Sequence, residues 1–266
     1  MPVNKTYELV DSHAHLDLPD FNSDRTEVLN RARKNSVRWI LCPLDLCEKN
    51  SLNVGLKLRS TDSEIFLAAG IHPHQAKELN LNHLDSIRKL AEEKKIVAVG
   101  EIGLDFHYNF SPPEKQLEAF RLQLELASEL RLPVIIHSRL AAEKILESIR
   151  TAGFTGQGIL HCFTESWSLA KALVDEGFLV SFSGILTYKN SEEQREVAKR
   201  LPLESLLVET DSPYLTPFPE KKTWKRNEPA LVVSTARELA RLKNLSLEKL
   251  AEATTENFFR FFKLKK

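Results

Sequence analysis

An α/β chain folded as a single (β/α)8 TIM barrel with extra C-terminal helices is what this sequence predicts, on three observations. Eight short apolar runs recur along its length, helical patterns lie between them, and no linker or shift of composition interrupts the alternation. The chain has 266 residues. Barrels of this kind reach about 250 residues as one unit, so 1–266 is read as one domain although a typical domain is nearer ~150 residues.

The apolar runs are 7–10, 38–42, 65–69, 96–100, 133–136, 158–160, 178–182 and 206–208. They are too short for helices, rich in Val and Ile, and lack clean polar alternation, which marks parallel strands covered on both faces. Helical patterns occupy 24–36, 81–94, 113–130, 140–150, 166–176 and 191–201. In the clearest, Leu117, Phe120, Leu124 and Ala127 repeat at the spacing of one helix face. Its start is expected at a capping box of Ser111 and Glu114, with Pro113 in the first turn, where its missing donor costs nothing. From Ala230 onward further helices follow, with Phe258, Phe259, Phe261 and Phe262 expected to close the core and 263–266 to form a solvated tail.

Composition narrows the function. The 37 Lys+Arg balance 37 Asp+Glu, and net neutrality argues against a polycationic surface gripping duplex DNA, leaving room only for a local basic patch. Residues 1–10 lack a charged stretch followed by an apolar one, and no run approaches the roughly 18 apolar residues of a membrane span. Three cysteines, Cys42, Cys47 and Cys162, make no even disulfide framework, so reduced thiols and a cytoplasmic location are expected, with no membrane and no obligate protein partner.

In such a barrel the C-terminal strand ends converge, and ligand-type residues sit there. The first strand is followed by His13 and His15, two apart and so on one face of extended chain. An isolated His-x-His is more often chance than a ligand pair. Here Glu101 closes the fourth strand, His137 the fifth and His161 the sixth, while Asp211 follows the eighth. Ionisable groups directly after apolar strands are costly to bury, about 2–7 kcal/mol even for neutral polar groups, so a metal site is the economical reading. Six protein ligands are too many for one catalytic ion with an open position but suit two divalent ions about 3.5–4 Å apart. Glu101 is placed to bridge them, with His13, His15 and Asp211 on one ion and His137 and His161 on the other. Asp211 is also expected to take a proton from the activated water. Four imidazoles with two carboxylates suit zinc, manganese or iron better than magnesium.

These residues resemble the TatD family of metal-dependent deoxyribonucleases, amidohydrolase-like barrel hydrolases, and the likeness covers essentially the whole chain. The motifs are His13-Ala14-His15, Gly70-Ile71-His72-Pro73-His74, Gly100-Glu101-Ile102-Gly103-Leu104-Asp105, Ile136-His137-Ser138-Arg139, His161-Cys162-Phe163-Thr164, Ser181-Phe182-Ser183-Gly184, Glu209-Thr210-Asp211-Ser212-Pro213 and Arg226-Asn227-Glu228-Pro229. The resemblance implies that the six positions are metal ligands and that the reaction is divalent-metal-dependent hydrolysis of DNA phosphodiesters, often from the 3′ end of single strands, with magnesium as an activating ion. Two positions depart from the family pattern: Leu140 replaces an acidic residue and Glu165 a glycine.

Outside the six, His72 follows the third strand and is expected to act on substrate, donating to a phosphate oxygen or protonating the leaving oxygen with a pKa near the ordinary ~6.5, while His74 orders the loop around Pro73. Arg139 is expected to bind a phosphate bidentately, the alternative being a structural pair with a carboxylate. Between 212 and 229, Lys221, Lys222, Lys225 and Arg226 surround Trp224, a pattern suited to single-stranded nucleic acid, and the loop 105–110 adds aromatics. The rival reading is a metal-dependent hydrolase of an ester or amide, such as an aminoacyl-tRNA ester deacylase. It calls for a tight apolar pocket where a nuclease calls for cations and stacking rings. A non-enzymatic metal-binding scaffold would not need both Glu101 and Asp211.

Overall fold

The structure, a computed structural model, describes residues 7–266. Residues 1–6, which carry part of the expectation that 1–10 form no leader, lie outside the described residues. The elements in chain order are β1 (Leu9–Asp11), α1 (Arg25–Lys34), β2 (Val37–Asp45), α2 (Ser51–Thr61), β3 (Ile65–Gly70), α3 (Leu81–Glu92), β4 (Ala98–Asp105), α4 (Pro113–Leu130), β5 (Val134–Arg139), α5 (Ala142–Thr151), β6 (Gly158–Leu160), α6 (Trp167–Asp175), β7 (Leu179–Phe182), α7 (Glu192–Arg200), β8 (Leu206–Val208), α8 (Val232–Lys243) and α9 (Leu247–Phe261). The strands follow one another in the sheet from β1 to β8, and the fold class is the (β/α)8 barrel, with α8 and α9 added after the last strand. Among the described residues no helix is long and apolar enough to cross a membrane. The chain divides into two compact units, Pro43–Val180 and the described part of Met1–Cys42 together with Ser181–Lys266.

In the unit Pro43–Val180, parallel β4 and β5 pair as Val99↔Val134, then shift register, then continue Ile102↔Ile136, Gly103↔His137 and Asp105↔Arg139. Leu67, Val99, Ile102 and Ile136 have no exposed surface, as strands covered on both faces require. Strand β4 therefore runs five residues past its expected end, to Asp105, and Glu101 lies inside the strand rather than closing it. Gly103 permits this: its φ is +138°, and a Cβ there would stand 2.0 Å from the His137 carbonyl oxygen.

Helix α4 begins and ends where its pattern predicts, but two details differ. Its buried face carries Gln116 and Gln123 beside Phe120, Leu124 and Ala127, whereas Leu117 is only partly covered. Ser111 makes no capping box; its hydroxyl donates to the His74 carbonyl at 2.7 Å and accepts the Lys77 N–H at 3.1 Å, and α4 starts on Pro112 and Pro113 without a side-chain cap. Helix α2 was not legible in the sequence. Its Gly55 lowers helix propensity, yet a Cβ there would meet the Leu44 side chain at 2.5 Å, so tertiary packing selects the glycine over propensity.

In the other unit, β1 pairs with β2 as Leu9↔Val37, Val10↔Trp39 and Asp11↔Ile40. Helix α9 buries Phe258, Phe259 and Phe261, with Phe259 edge-on to Trp39 at 4.9 Å between ring centroids. An ion-pair network ties α1 to the segment after β8. Arg31 donates twice to the buried Glu228, at 2.7 Å each, and once to Asp24 at 3.0 Å. Arg226 donates to the same Asp24 at 2.9 and 2.8 Å and lies 4.5 Å over the Phe21 ring.

Candidate functional site

In the unit built on β1 and β8, the Nε2 atoms of His13 and His15 lie 3.2 Å apart, and Asp211 Oδ1 is 3.9 and 3.5 Å from them. The backbone sets this arrangement. Asp211 N–H donates to the His13 carbonyl and His15 N–H to the Ser212 carbonyl, each at 2.9 Å, which locks the two strand ends in register. Asp211 adopts a left-handed backbone (φ +54°), a conformation that Asp tolerates better than most residues. Behind them sits Asp11, fully buried, whose carboxylate accepts the Thr210 N–H at 2.8 Å, the Thr210 hydroxyl at 2.6 Å and the His13 N–H at 3.4 Å. Burial pushes the Asp11 pKa well up, and the Thr210 bonds oppose that. Sequence reasoning passed over Asp11; its signal was an acid ending an apolar strand, one residue pair ahead of the histidines.

Donors tetrahedrally arranged about one ion at ~2.0–2.1 Å lie about 3.3 Å from one another. The spacings of 3.2, 3.5 and 3.9 Å in this trio fit such an ion.

In the unit Pro43–Val180, one oxygen of the nearly buried Glu101 faces three imidazoles: His161 Nε2 at 2.7 Å, His137 Nδ1 at 2.8 Å and His72 Nε2 at 3.2 Å. His161 Nε2 and His137 Nδ1 are 3.4 Å apart. The far nitrogen of His137, Nε2, meets the buried Asp105 carboxylate at 3.1 Å. Asp105 is thus the outer carboxylate of a carboxylate–histidine pair, the arrangement that fixes ring orientation and raises ligand basicity in metal sites. Burial alone would raise the Asp105 pKa, but hydrogen bonds from His137, His74 and the Tyr108 N–H hold it far below the usual carboxylate range. Burial alone would lower the His137 pKa, and its bonds to Asp105 and Glu101 raise it instead. A carboxylate ringed by imidazoles is the donor chemistry a divalent cation satisfies, so this set also fits a metal.

Helix α4 aims this set through its two buried glutamines, one two-turn step apart. Gln116 accepts from the Asp105 N–H at 2.7 Å and donates to the Asp105 carbonyl at 3.0 Å; Gln123 does the same to Ile71, at 2.7 and 3.2 Å, just before His72. His72 also differs from expectation. It accepts the His74 N–H on Nδ1 at 3.1 Å, and burial lowers its pKa to about 4. It is therefore a neutral imidazole at neutral pH, with a pKa below the ordinary value expected for it. His74 does more than order its loop: its Nε2 meets Asp105 at 2.9 Å.

Arg139 stacks 4.7 Å over the Tyr108 ring, and among the described residues no carboxylate pairs with it, against the structural alternative. Trp224, Lys225, Lys221 and Lys222 are exposed, with Lys221 Nζ 4.1 Å over Tyr188. Arg226, expected on phosphate, turns instead to Asp24 and the Asp20 carbonyl; its donors serve the fold. The two departures from the family pattern lie close together in the fold, at the end of β5 and ahead of α5. Leu140 takes a left-handed backbone (φ +53°) and is 70% exposed. Glu165 accepts the Ala141 N–H ahead of α5 at 3.0 Å and the Ser138 hydroxyl at 2.9 Å.

The family model described as TatD related DNase matches residues 10–263. The chain is 38% identical to YabD of Bacillus subtilis (strain 168), named an uncharacterized metal-dependent hydrolase, over 96% of this chain and 99% of that protein. It is 34% identical to the 3′-5′ ssDNA/RNA exonuclease TatD of Erwinia tasmaniensis, over 96% of this chain and 100% of that one. The crystal structure of YJJV, a TatD homolog from Escherichia coli k12, superposes with a TM-score of 0.88 at 29% identity, covering 97% of this chain and 98% of the other. With a family model spanning nearly its whole length and relatives above 30% identity end to end, the chain belongs to the TatD-related DNase family and is a metal-dependent hydrolase.

Proposed function

We propose that the chain, acting over 1–266 as one hydrolase domain, cleaves phosphodiester bonds of single-stranded DNA from the 3′ end with two divalent ions, zinc, manganese or magnesium. The observation that carries this reading is the pair of donor sets: His13, His15 and Asp211 in one unit, and in the other Glu101 with His137 and His161, whose nitrogens stand 2.8 and 2.7 Å from its Oε1 and 3.4 Å from each other. The exonuclease name of the Erwinia relative supports the substrate and the polarity. Bound divalent ions would supply Lewis-acid polarisation of a phosphoryl oxygen and acidify water near neutral pH.

The chain's own residues do the rest. Asp211 takes the proton from the attacking water, its carboxylate held by the backbone lock to His13. Neutral His72 holds the Glu101 carboxylate in place through its one N–H, on Nε2. Arg139, with its guanidinium fork free of carboxylates, takes a phosphate bidentately, and Trp224 and Lys225 follow the strand.

Elemental analysis of protein purified without chelator, with a nuclease assay on strands labelled at either end, tests the proposal. Bound divalent metal and mononucleotide release from the 3′ end are expected. Metal-dependent ester or amide hydrolysis without any cleavage of DNA would replace it with the deacylase-type reading.

A further inference from the structure

After β4 the loop carries Tyr108 and Phe110, whose rings are parallel within 4° at 5.3 Å between centroids. They are 49% and 59% exposed, an arrangement that leaves flat apolar surface in water. The loop is nevertheless built rigidly. Asp105 Oδ1 accepts the N–H groups of His107 at 3.0 Å and Tyr108 at 2.9 Å. Its other oxygen meets His74, whose ring stands edge-on to Tyr108 at 5.6 Å and to Phe110 at 4.8 Å. The same Asp105 oxygen holds His137, so the rings and a metal-type imidazole share one buried anchor. Arg139 lies over Tyr108, two residues after His137 and directly across from Asp105 in the sheet. Exposed rings held stiffly beside a guanidinium that packs on one of them and that no carboxylate claims among the described residues lose little entropy when a ligand arrives.

We infer that Tyr108 and Phe110 form a nucleobase platform, on which an unstacked base of the single strand lies while Arg139 takes the adjoining phosphate. The inference rests on the nuclease reading and adds to it that the base, not only the phosphate, is recognised. A base inside a duplex has no free face to offer, so the platform selects single strands, and it tolerates any sequence because every base has a flat face. Stacking of one base on an aromatic ring corresponds to roughly a tenfold to hundredfold change in affinity.

The test pairs the Tyr108→Ser/Phe110→Ser double variant with an oligonucleotide whose 3′-terminal nucleotides lack bases. Wild-type KM should rise about tenfold or more from the normal to the abasic strand, while the variant no longer distinguishes the two and keeps its bound metal. Phe110→Trp alone, which preserves a stacking face beside Tyr108, should retain the discrimination. If the variant loses the same factor on both strands, the loop is structural and the platform is wrong, with the nuclease reading intact. If the wild type cleaves neither strand yet hydrolyses other esters with bound metal, the nuclease reading falls and takes the platform with it.

Discussion

The His74 N–H donates to Nδ1 of His72 at 3.1 Å, and this bond decides which nitrogen of His72 carries the proton. A neutral imidazole that accepts on Nδ1 must be protonated on Nε2, which is the atom 3.2 Å from Glu101 Oε1. His72 then acts as a donor toward Glu101 rather than as a lone-pair ligand. His72→Ala should lower kcat by about 10–100-fold, the usual consequence of losing a hydrogen bond that orients a ligand-type carboxylate, with metal content at saturation unchanged. His72→Gln, which keeps an N–H, should recover part of it. Loss of a bound ion in His72→Ala, read by elemental analysis, would make His72 a ligand.

Glu101 and Asp211 each bring a negative charge into a cluster of imidazoles. On the proposed function, Glu101→Ala and Asp211→Asn should each give a folded protein without metal-dependent hydrolysis, because each removes the carboxylate charge at the centre of its donor set. Wild-type turnover by Asp211→Asn at saturating metal would remove Asp211 from both its ligand and its proton-accepting roles.

Asp105 touches no position where an ion is expected, yet it fixes His137 through Nε2. Asp105→Asn should weaken metal binding about 10–100-fold, the common effect of removing an outer carboxylate, while leaving the number of bound ions at saturation the same. Titration calorimetry with Mn2+ or Zn2+ measures this directly; an unchanged affinity would reduce Asp105 to a loop anchor.

What the sequence disclosed, and what it hid, follows from the range of the interactions. His137 and His161 stood out because an ionisable residue after an apolar run contradicts simple burial. Asp105 did not, since its meaning depends on the Gly103↔His137 register across two strands. Gln116 and Gln123 were invisible for a related reason: a polar residue breaks an apolar periodicity unless its backbone partner, on Asp105 or Ile71, is known. Ser111 fitted a local capping rule, but a carbonyl distant in sequence claimed its hydroxyl. Glu165 reads as an isolated departure, and its partners, the Ala141 N–H and the Ser138 hydroxyl, lie more than twenty residues away in sequence.

The basic segment separates into two roles that mutagenesis can distinguish. Lys221, Lys222 and Lys225 are exposed, whereas Arg226 is bonded to Asp24. Replacing the three lysines with Ala should reduce the log–log salt slope of single-strand binding by about 2, at about 0.7 per phosphate contact. Arg226→Ala should leave that slope unchanged and lower Tm by removing the Asp24 pair and the packing on Phe21. A fall in slope for Arg226→Ala would return it to the nucleic-acid surface.

The same pair gives the fold a defined response to acid. Hydrogen bonds from Arg226, and then from Arg31, lower the Asp24 pKa to about 2. A carboxylate depressed in the folded state adds stability that is fully present above its unfolded pKa of about 3.9 and disappears as pH falls through its folded value. Asp24 is 30% exposed, so solvent screening keeps the effect modest. Asp24→Asn should therefore lower the urea midpoint by a constant amount between about pH 7 and pH 5, and the gap from wild type should narrow steadily from about pH 4 toward pH 2. Urea unfolding at pH 6 and pH 3 compares the two regimes, and an equal gap at both would show that Asp24 contributes through packing rather than through its charge on Arg226 and Arg31.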